Sequence, residues 1–206
     1  MSPTSYQAAP PREAYSNRYV RMMRPLNSIS PLNDVDNGAR HGTRAEIQIM
    51  KAVLQRASHA SVTVDGTVVS EFGDPNGHAC GLLILLGVQE GDLESDSIYL
   101  ATKASELRIF EDRDGKMNLS LAEAGGHVIV VSQFTLLGDW KKGRRPGFSN
   151  AARPDEGQRL YMHFVDQLKA KGLKVQTGVF GADMKVRILN DGPVTFLLEA
   201  RDGKPV

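Results

Sequence analysis

The sequence has 206 residues, of which 41% are apolar and 24% charged, with a formal net charge of +1. These values are typical of a single globular domain, and no run approaches the roughly 18 apolar residues that a membrane span requires. The near-neutral charge argues against a protein that grips a long stretch of nucleic acid, and the single cysteine, Cys80, excludes an internal disulfide and favours a reducing, cytoplasmic compartment.

The first 49 residues predict a disordered N-terminal extension. They contain five of the ten prolines, many Ser, Asn and Gly residues, and no apolar period. Their six arginines against four acidic residues are similar to a mitochondrial targeting peptide, but Pro10-Pro11 would interrupt the amphipathic helix of such a peptide. We expect the extension to carry no chemistry and the domain to span residues 50–206, with Met50 as an alternative start of the working protein.

From Met50 onward, short segments rich in β-branched residues predict strands, and Asp65-Gly66 between two of them predicts a tight hairpin turn. The continuous apolar run Gly81–Val88 indicates a strand that is buried on both faces. In chain order, the predicted strands are Met50–Arg56, Ser61–Val64, Thr67–Phe72, Gly81–Val88, His127–Phe134, Val175–Phe180, Met184–Leu189 and Val194–Ala200.

Two segments predict helices. Leu93–Leu107 has one apolar face that includes Ile98 and Leu100, and a second helix begins at Pro154 and ends before Gly172. The apolar positions of the second helix, which recur every four residues, are Leu160, Phe164 and Leu168. Two helices against about eight strands, with several hairpin connections, predict an α+β fold with a largely antiparallel sheet.

The familiar catalytic motifs are absent from the sequence. Gly138–Arg145 has the glycine spacing of a phosphate-binding loop, but Arg144 and Arg145 replace the Lys and Ser/Thr that contact phosphate and magnesium. His78 and Cys80 lack a second pair of ligands, so neither a metal nor another cofactor is expected. No obvious nucleophile stands beside His41, His59, His127 or His163, so surface or hydrogen-bonded structural histidines are favoured over a catalytic triad. The residues alone therefore favour a binding module or an enzyme without a side-chain nucleophile.

Two motifs narrow this choice. Ser132-Gln133-Phe134-Thr135-Leu136 ends a buried strand, and Asn190-Asp191-Gly192-Pro193-Val194-Thr195 follows about sixty residues later. On turn chemistry alone, the Gly-Pro pair predicts a hairpin connection. Taken together and in this order, the two motifs resemble those of the D-aminoacyl-tRNA deacylases. The resemblance runs from Met50 to about Glu199, with a longer loop at Asp74–Ala79 as its departure.

The resemblance implies a barrel-like sheet, a homodimer, and hydrolysis of the ester between a D-amino acid and tRNA. Gly192 and Pro193, joined by a cis peptide bond, would enter the active site of the partner subunit. Their carbonyls would hold the substrate's amino group and leave no room for an L side chain. Glycine, which has no side chain, would also be accepted, including glycine mischarged on tRNA-Ala.

The resemblance also assigns the remaining site residues. Ser132, Gln133, Phe134 and Thr135 would line the pocket. Because no base stands near Thr135 in sequence, we expect it to position the substrate, with the role of nucleophile as the alternative. The 2′-hydroxyl of the terminal adenosine would assist, and main-chain N–H groups would stabilise the oxyanion. The supporting residues would be Ala152 as a main-chain donor, Phe180 against the adenine, Met184 at the pocket wall and Arg56 as a brace of the Gly-Pro loop. The alternatives are a core role for Phe180 and Met184 and a surface ion pair for Arg56.

Two other functions stay open. A related deacylase that acts on L-alanyl-tRNA has Pro at the position of Ser132 and Ala at that of Phe134, so both residues argue against it. Family members have also been described as DNA-binding replication factors, for which the near-neutral domain is a poor match. The basic cluster of Lys141, Lys142, Arg144 and Arg145 could contact phosphates of the tRNA acceptor stem, or could be a solvated loop.

Overall fold

The computed structural model describes residues 49–74, 76, 80–141 and 143–206. Residues 1–48 of the predicted disordered extension lie outside these residues, as does most of the loop Asp74–Ala79, whereas Ile49 is described. Met50, at the predicted domain boundary, is fully buried and is the first residue of the first strand.

The described residues form nine strands, two α-helices and one 3₁₀ helix. The strands are β1 (Met50–Val64), β2 (Thr67–Gly73), β3 (Gly81–Gly87), β4 (Phe110–Glu111), β5 (Met117–Leu119), β6 (His127–Ser132), β7 (Lys174–Thr177), β8 (Met184–Arg201) and β9 (Lys204–Pro205). The helices are α1 (Glu94–Glu106) and α2 (Pro154–Ala170), and the 3₁₀ helix is Phe134–Leu137.

The main sheet is mixed, with the order β7-β6-β3-β1-β8-β9. β2 extends it by pairing with the second half of β1, on the same edge as β3. The pairs β3–β6 and β6–β7 are parallel, whereas the partners of β1 and the pair β8–β9 are antiparallel. The α+β class is confirmed, but the sheet is not antiparallel throughout. The reason is that α1 and α2 are each part of a crossover connection, which is what a parallel pair of strands requires.

The sheet curls so that β2 approaches β7. The Glu71 N–H donates to Gln176 Oε1 at 3.0 Å, and Gln176 Nε2 donates to the Glu71 carbonyl at 2.7 Å. The Phe72 ring stacks on His127 at the start of β6, with ring centroids 6.1 Å apart. A side-chain amide thus supplies the bonds that a strand partner would otherwise make across the gap.

The Gly-Pro stretch lies within a strand rather than in a hairpin turn. β8 runs beside β1 over its whole length, with Asn190 opposite Ala57 and Thr195 opposite Gln55. Residues 191–194 have no partner in this register, so they bulge out of the ladder. A proline lacks an N–H for the ladder and is tolerated in a strand at such a bulge. The predicted strands Met184–Leu189 and Val194–Ala200 are therefore one element, and the first two predicted strands likewise merge into β1.

The two helices pack against each other and cover one face of the sheet. The predicted stripe of α2, Leu160, Phe164 and Leu168, is fully buried, as is Leu100 of α1. Ile98, assigned to the apolar face of α1, is 44% exposed, because the buried stripe follows Ser97, Leu100, Ala101 and Ala104. Within the described residues, neither helix is both long and apolar enough to span a lipid bilayer.

Candidate active site

The end of β6 is shaped to present polar side chains. Four buried apolar residues, Val128–Val131, hold this strand between β3 and β7. The chain leaves the strand at Gln133, whose N–H donates to the Leu86 carbonyl at 2.7 Å. Gly87 permits this close approach, since a Cβ there would lie 3.1 Å from the Gln133 carbonyl oxygen. The 3₁₀ helix that begins at Phe134 then turns the motif along the edge of the sheet.

A cavity of about 280 Å³ opens beside this motif. Ser132, Gln133, Phe134 and Thr135 form one wall, as the family resemblance implies. The other wall is formed by residues 181–184 and Val186, so Met184 lines the cavity. Gly178 leaves room for Met184, because a Cβ at Gly178 would lie 2.5 Å from its sulfur. Sequence reasoning did not single out Asp183, which lines the cavity and pairs with Lys185 at 3.1 Å.

The Thr135 hydroxyl has no base beside it in the described residues. Its hydrogen-bond partner is the side-chain amide of Gln133, which donates to Oγ1. An amide is neutral and cannot accept the proton of an attacking hydroxyl. The contact instead fixes the two side chains relative to each other at the cavity wall.

Phe180 lies in a narrow cleft that adjoins the cavity and shares Ser132, Gln133 and Phe134 with it. Its ring packs against Tyr161 with centroids 5.8 Å apart, and it is only partly buried. The Tyr161 hydroxyl donates to the Val130 carbonyl at 2.8 Å, and burial raises the pKa of this phenol, so it stays a neutral donor. Gly157 also lines this cleft, and a Cβ there would be in ordinary van der Waals contact with the Phe180 ring at 3.5 Å.

Ala152 lies behind the site rather than in the cavity wall. It is 1% exposed, and its N–H donates to the Val88 carbonyl at 3.0 Å. The neighbouring Ala151 N–H is also bonded, to the Phe148 carbonyl at 3.1 Å. The main-chain donor that the resemblance assigns to Ala152 is therefore occupied in this structure.

The bulge at residues 191–194 is held rigidly from β1. Arg56 is 5% exposed, and its guanidinium bonds to the Asp191 carboxylate at 3.0 Å and the Ile109 carbonyl at 2.7 Å. Asn190 Nδ2 donates to the carbonyls of Arg56 at 2.8 Å and Val194 at 3.2 Å. Arg56 thus contacts the bulge from a buried position and not as a surface ion pair.

Gly192 and Pro193 are exposed, and the peptide bond between them is cis. Gly192 has a φ of +115°, and a Cβ there would lie 2.7 Å from Cγ2 of Val194. The pair is not part of the cavity in its own chain. It lies eight residues along β8 from Met184, which corresponds to roughly 26 Å of extended strand.

Comparisons with known proteins show the family to which this chain belongs. The family model described as D-Tyr-tRNA(Tyr) deacylase matches residues 53–199, which include both motifs. The chain belongs to this family. It is 55% identical over 152 residues to the D-aminoacyl-tRNA deacylase of Geobacter sulfurreducens, covering 74% of this chain and 96% of that protein. It is 54% identical over 150 residues to the enzyme of the same name from Ruegeria pomeroyi, covering 73% and 99%.

Two solved structures of similar proteins extend the comparison. The c-Myc DNA unwinding element binding protein is 37% identical, with a TM-score of 0.66 over 73% of this chain and 99% of that one. A probable eukaryotic D-amino acid tRNA deacylase is 19% identical, with a TM-score of 0.61 over 74% and 100%, and this likeness shows the fold alone. Membership of the D-Tyr-tRNA(Tyr) deacylase family confirms the resemblance first drawn from the two motifs.

One polar cluster in this family member could be mistaken for a catalytic triad. Ser97 Oγ lies 2.5 Å from His163 Nδ1, and His163 Nε2 lies 3.9 Å from Glu94. Ser97 is fully buried and its hydroxyl donates to the Glu94 carbonyl at 2.9 Å, so a substrate cannot reach it. The cluster joins α1 to α2. Nothing in the sequence indicates it, because Ser97 and His163 are 66 positions apart.

Proposed function

We propose that this chain hydrolyses the ester bond of D-aminoacyl-tRNA in the cavity lined by Ser132–Thr135, releasing tRNA and the free D-amino acid. The observation that carries this proposal is that the motif Ser132–Thr135 and Met184 form one cavity, in a chain about 55% identical to enzymes named D-aminoacyl-tRNA deacylase. We assign the activity to the cytoplasm.

The active form is a homodimer in which each subunit supplies Gly192 and Pro193 to the cavity of the other. Three features support this arrangement. The pair is exposed, it lies far from the cavity of its own chain, and it is rigidly braced. Apolar side chains of the same strand are also exposed, with Leu189 at 44%, Phe196 at 38% and Leu197 at 55%. Exposed apolar side chains such as these are suited to burial against a second copy.

Selection against L-amino acids is steric and uses main-chain carbonyls. Carbonyls that hold the substrate's ammonium group fix the position of its Cα, so an L side chain points at the loop and is excluded. Main-chain atoms vary little with sequence, which makes such a site indifferent to the identity of a D side chain. Glycine has nothing to exclude, so glycyl-tRNA, including glycine mischarged on tRNA-Ala, is also a substrate.

Water attacks the ester carbonyl with assistance from the 2′-hydroxyl of the terminal adenosine, and the 3′-hydroxyl leaves. Thr135 and Gln133 position the ester, and Phe180 supports the adenine, because stacking on an aromatic ring holds an unpaired base. Ala152 has no part in this mechanism, because its N–H is bonded to Val88. An activated ester needs only positioning and preorganised donors, so a side-chain nucleophile is not required.

The test is hydrolysis of D-tyrosyl-tRNA and L-tyrosyl-tRNA by the purified protein. We expect turnover of the D ester alone, and loss of turnover when the terminal adenosine lacks its 2′-hydroxyl. Equal hydrolysis of both enantiomers, or of neither, would refute the proposal. Full activity on the 2′-deoxy substrate would refute only the part played by the RNA hydroxyl.

DNA binding is the second candidate, and it rests on the 37% identity to a protein named for binding a DNA unwinding element. Residues 50–206 hold 19 basic and 20 acidic side chains, a balance that disfavours a long contact with duplex DNA. DNA binding that weakens steeply with salt, measured by anisotropy, would support this second function.

A further inference from the structure

A short loop beside the cavity has the composition of a nucleic-acid contact. It spans residues 140–146 and is closed by paired bonds between Asp139 and Gly147, each N–H donating to the other's carbonyl at 2.8 Å. The Asp139 carboxylate also accepts the Lys141 N–H at 3.0 Å, which fixes the first turn of the loop. The loop has the glycine spacing of a phosphate-binding loop but leads back to a strand-like bridge and not into a helix.

Trp140 is the prominent side chain of this loop. It is 77% exposed and contacts no other aromatic ring in the described part of the chain. An exposed indole ring offers a flat apolar surface on which a partner's ring can stack. The Trp is the only one in the sequence.

The cations around Trp140 are also unpaired. Lys141, Arg144 and Arg145 are exposed, and none of them forms an ion pair with another described residue. Elsewhere on the surface, Arg159 and Lys185 pair with neighbouring carboxylates. An aromatic platform flanked by free cations is the combination that binds single-stranded nucleic acid, by stacking on a base and by contact with the phosphates on either side.

The loop is attached to the cavity wall. Phe148, just after the stem, packs edge-on against Phe134 of the cavity, with ring centroids 5.0 Å apart. Trp140 follows Thr135 by five residues, so their Cα atoms are within about 17 Å of each other. A polymer whose end occupies the cavity therefore passes within reach of this loop.

We propose that Trp140 stacks on an unpaired nucleotide of the tRNA 3′ end while Lys141, Arg144 and Arg145 bind the neighbouring phosphates. The identity of the RNA rests on the proposed deacylase function. The Trp140 contact is a second binding site for the RNA, outside the cavity. It selects an unpaired strand and does not depend on which amino acid is attached.

Because Trp140 is the sole tryptophan, fluorescence of the full chain reports on it directly. The probes are two uncharged RNA hairpins, one with an acceptor-stem helix and an unpaired 3′ end, the other with the same helix and a blunt end. We expect quenching by the first hairpin only. Equal quenching by both, or by neither, would overturn the assignment. This experiment needs no hydrolysis, so it stands or fails independently of the deacylase activity.

Kinetics supply the second readout. Removal of an aromatic ring that stacks on a base lowers affinity by about 5- to 150-fold. We therefore expect Trp140→Ala to lower kcat/KM for D-tyrosyl-tRNA by a factor in this range, mainly through KM, and to spare D-tyrosyl-adenosine, which lacks the upstream nucleotides. Trp140→Phe should retain most of the activity on tRNA. An equal loss on both substrates would mean that Trp140 supports the cavity itself, and no loss on either would exclude the contact.

The charged part of the contact has its own control. Each phosphate contact to a single strand contributes about 0.7 to the slope of log affinity against log salt. Arg144→Gln should lower the slope for the overhang hairpin by about this amount. Lys103→Gln, which removes an exposed charge from α1, should leave it unchanged. Identical slopes for the two variants would refute the phosphate contact.

Discussion

Substitution of Gly192 by Ala tests the idea that main chain, and not a side chain, does the selecting. Gly192 has a φ of +115°, a conformation that L residues rarely adopt. A Cβ there would lie 2.7 Å from Cγ2 and 3.1 Å from N of Val194, and 3.2 Å from the Arg56 guanidinium. None of these atoms can retreat easily, because Val194 is buried and Arg56 is held by Asp191 and Ile109.

The expected magnitude follows from this strain. A residue held in a sparsely populated backbone region costs about 1–3 kcal/mol. If the loop shifts to relieve that strain, its carbonyls leave the position that the substrate requires. We expect kcat/KM for D-tyrosyl-tRNA to fall by about 5- to 150-fold, which is the same energy expressed as a rate. Activity on L-tyrosyl-tRNA should not appear, since a methyl group crowds the site and adds no attraction.

The matched control is Gly66→Ala in the β1–β2 turn. Gly66 has a φ of +80° and no atom within 4 Å of its Cβ position, so it carries the backbone strain without the clash. Thermal unfolding and kcat/KM should be measured for both variants. We expect the control to lose stability and keep its activity. Wild-type kcat/KM in Gly192→Ala, or L-specific activity, would refute steric selection by this loop.

Four further predictions use other parts of the structure. Thr135→Ala should retain much of the wild-type activity, because the Thr135 hydroxyl is hydrogen-bonded only to an amide. A loss of several orders of magnitude in kcat would indicate instead that Thr135 is the nucleophile. When the Ser132→Pro and Gly192→Ala proteins are mixed and refolded, activity should return, because a mixed dimer has one site with an intact cavity and an intact Gly-Pro loop. A fully active monomer in sedimentation would exclude a loop that acts in the partner subunit. A protein of residues 50–206 should keep its Tm and activity, since Met50 already opens β1, and a large loss of either would contradict this. Burial raises the pKa of Asp92 to about 7, so its charging destabilises the fold progressively as pH rises from about 4 to above 7. Asp92→Asn should therefore be more stable than wild type, by a free-energy difference that grows from pH 5 to pH 8 and reaches at most about 4 kcal/mol. A difference that stays constant over this range would show that the charge of Asp92 is not its cause.

The second helix shows what local pattern can predict. Pro154 at the first helical position and a four-residue period of Leu160, Phe164 and Leu168 are both properties of a short stretch, and the structure has them as expected. The Asp65-Gly66 turn is local in the same way. The cavity motif was recognisable because its order and spacing resemble a family, although no single residue in it indicates an ester hydrolase.

The features that sequence reasoning missed depend on contacts between distant segments. β1 and β8 continue through the predicted breaks because each is the other's partner along its length. β6 pairs in parallel with β3 and with β7, and the sequence indicates this only through the helix that separates β6 from each of these strands. The Ala152 N–H was expected to be free to stabilise the oxyanion, but it donates to the Val88 carbonyl. In each case the deciding hydrogen bond joins residues that the chain alone does not place together.

In the proposed mechanism the exposed Gly-Pro loop acts as a chiral gauge, and Arg56 would hold that loop in position. Such a gauge must not move, since a shift of less than the size of a methyl group would admit an L side chain. Burying a guanidinium is costly unless its donors are satisfied, and here they meet the Asp191 carboxylate, the Ile109 carbonyl and, at 3.7 Å, Glu111. These partners are Asp191 in the bulge itself and two residues at β4, so one side chain of β1 ties the bulge to the β4–β5 hairpin. Lysine has the charge but not the planar fork, so it cannot make these contacts together. We therefore propose that Arg56, which does not line the cavity, makes the main chain at Gly192 rigid.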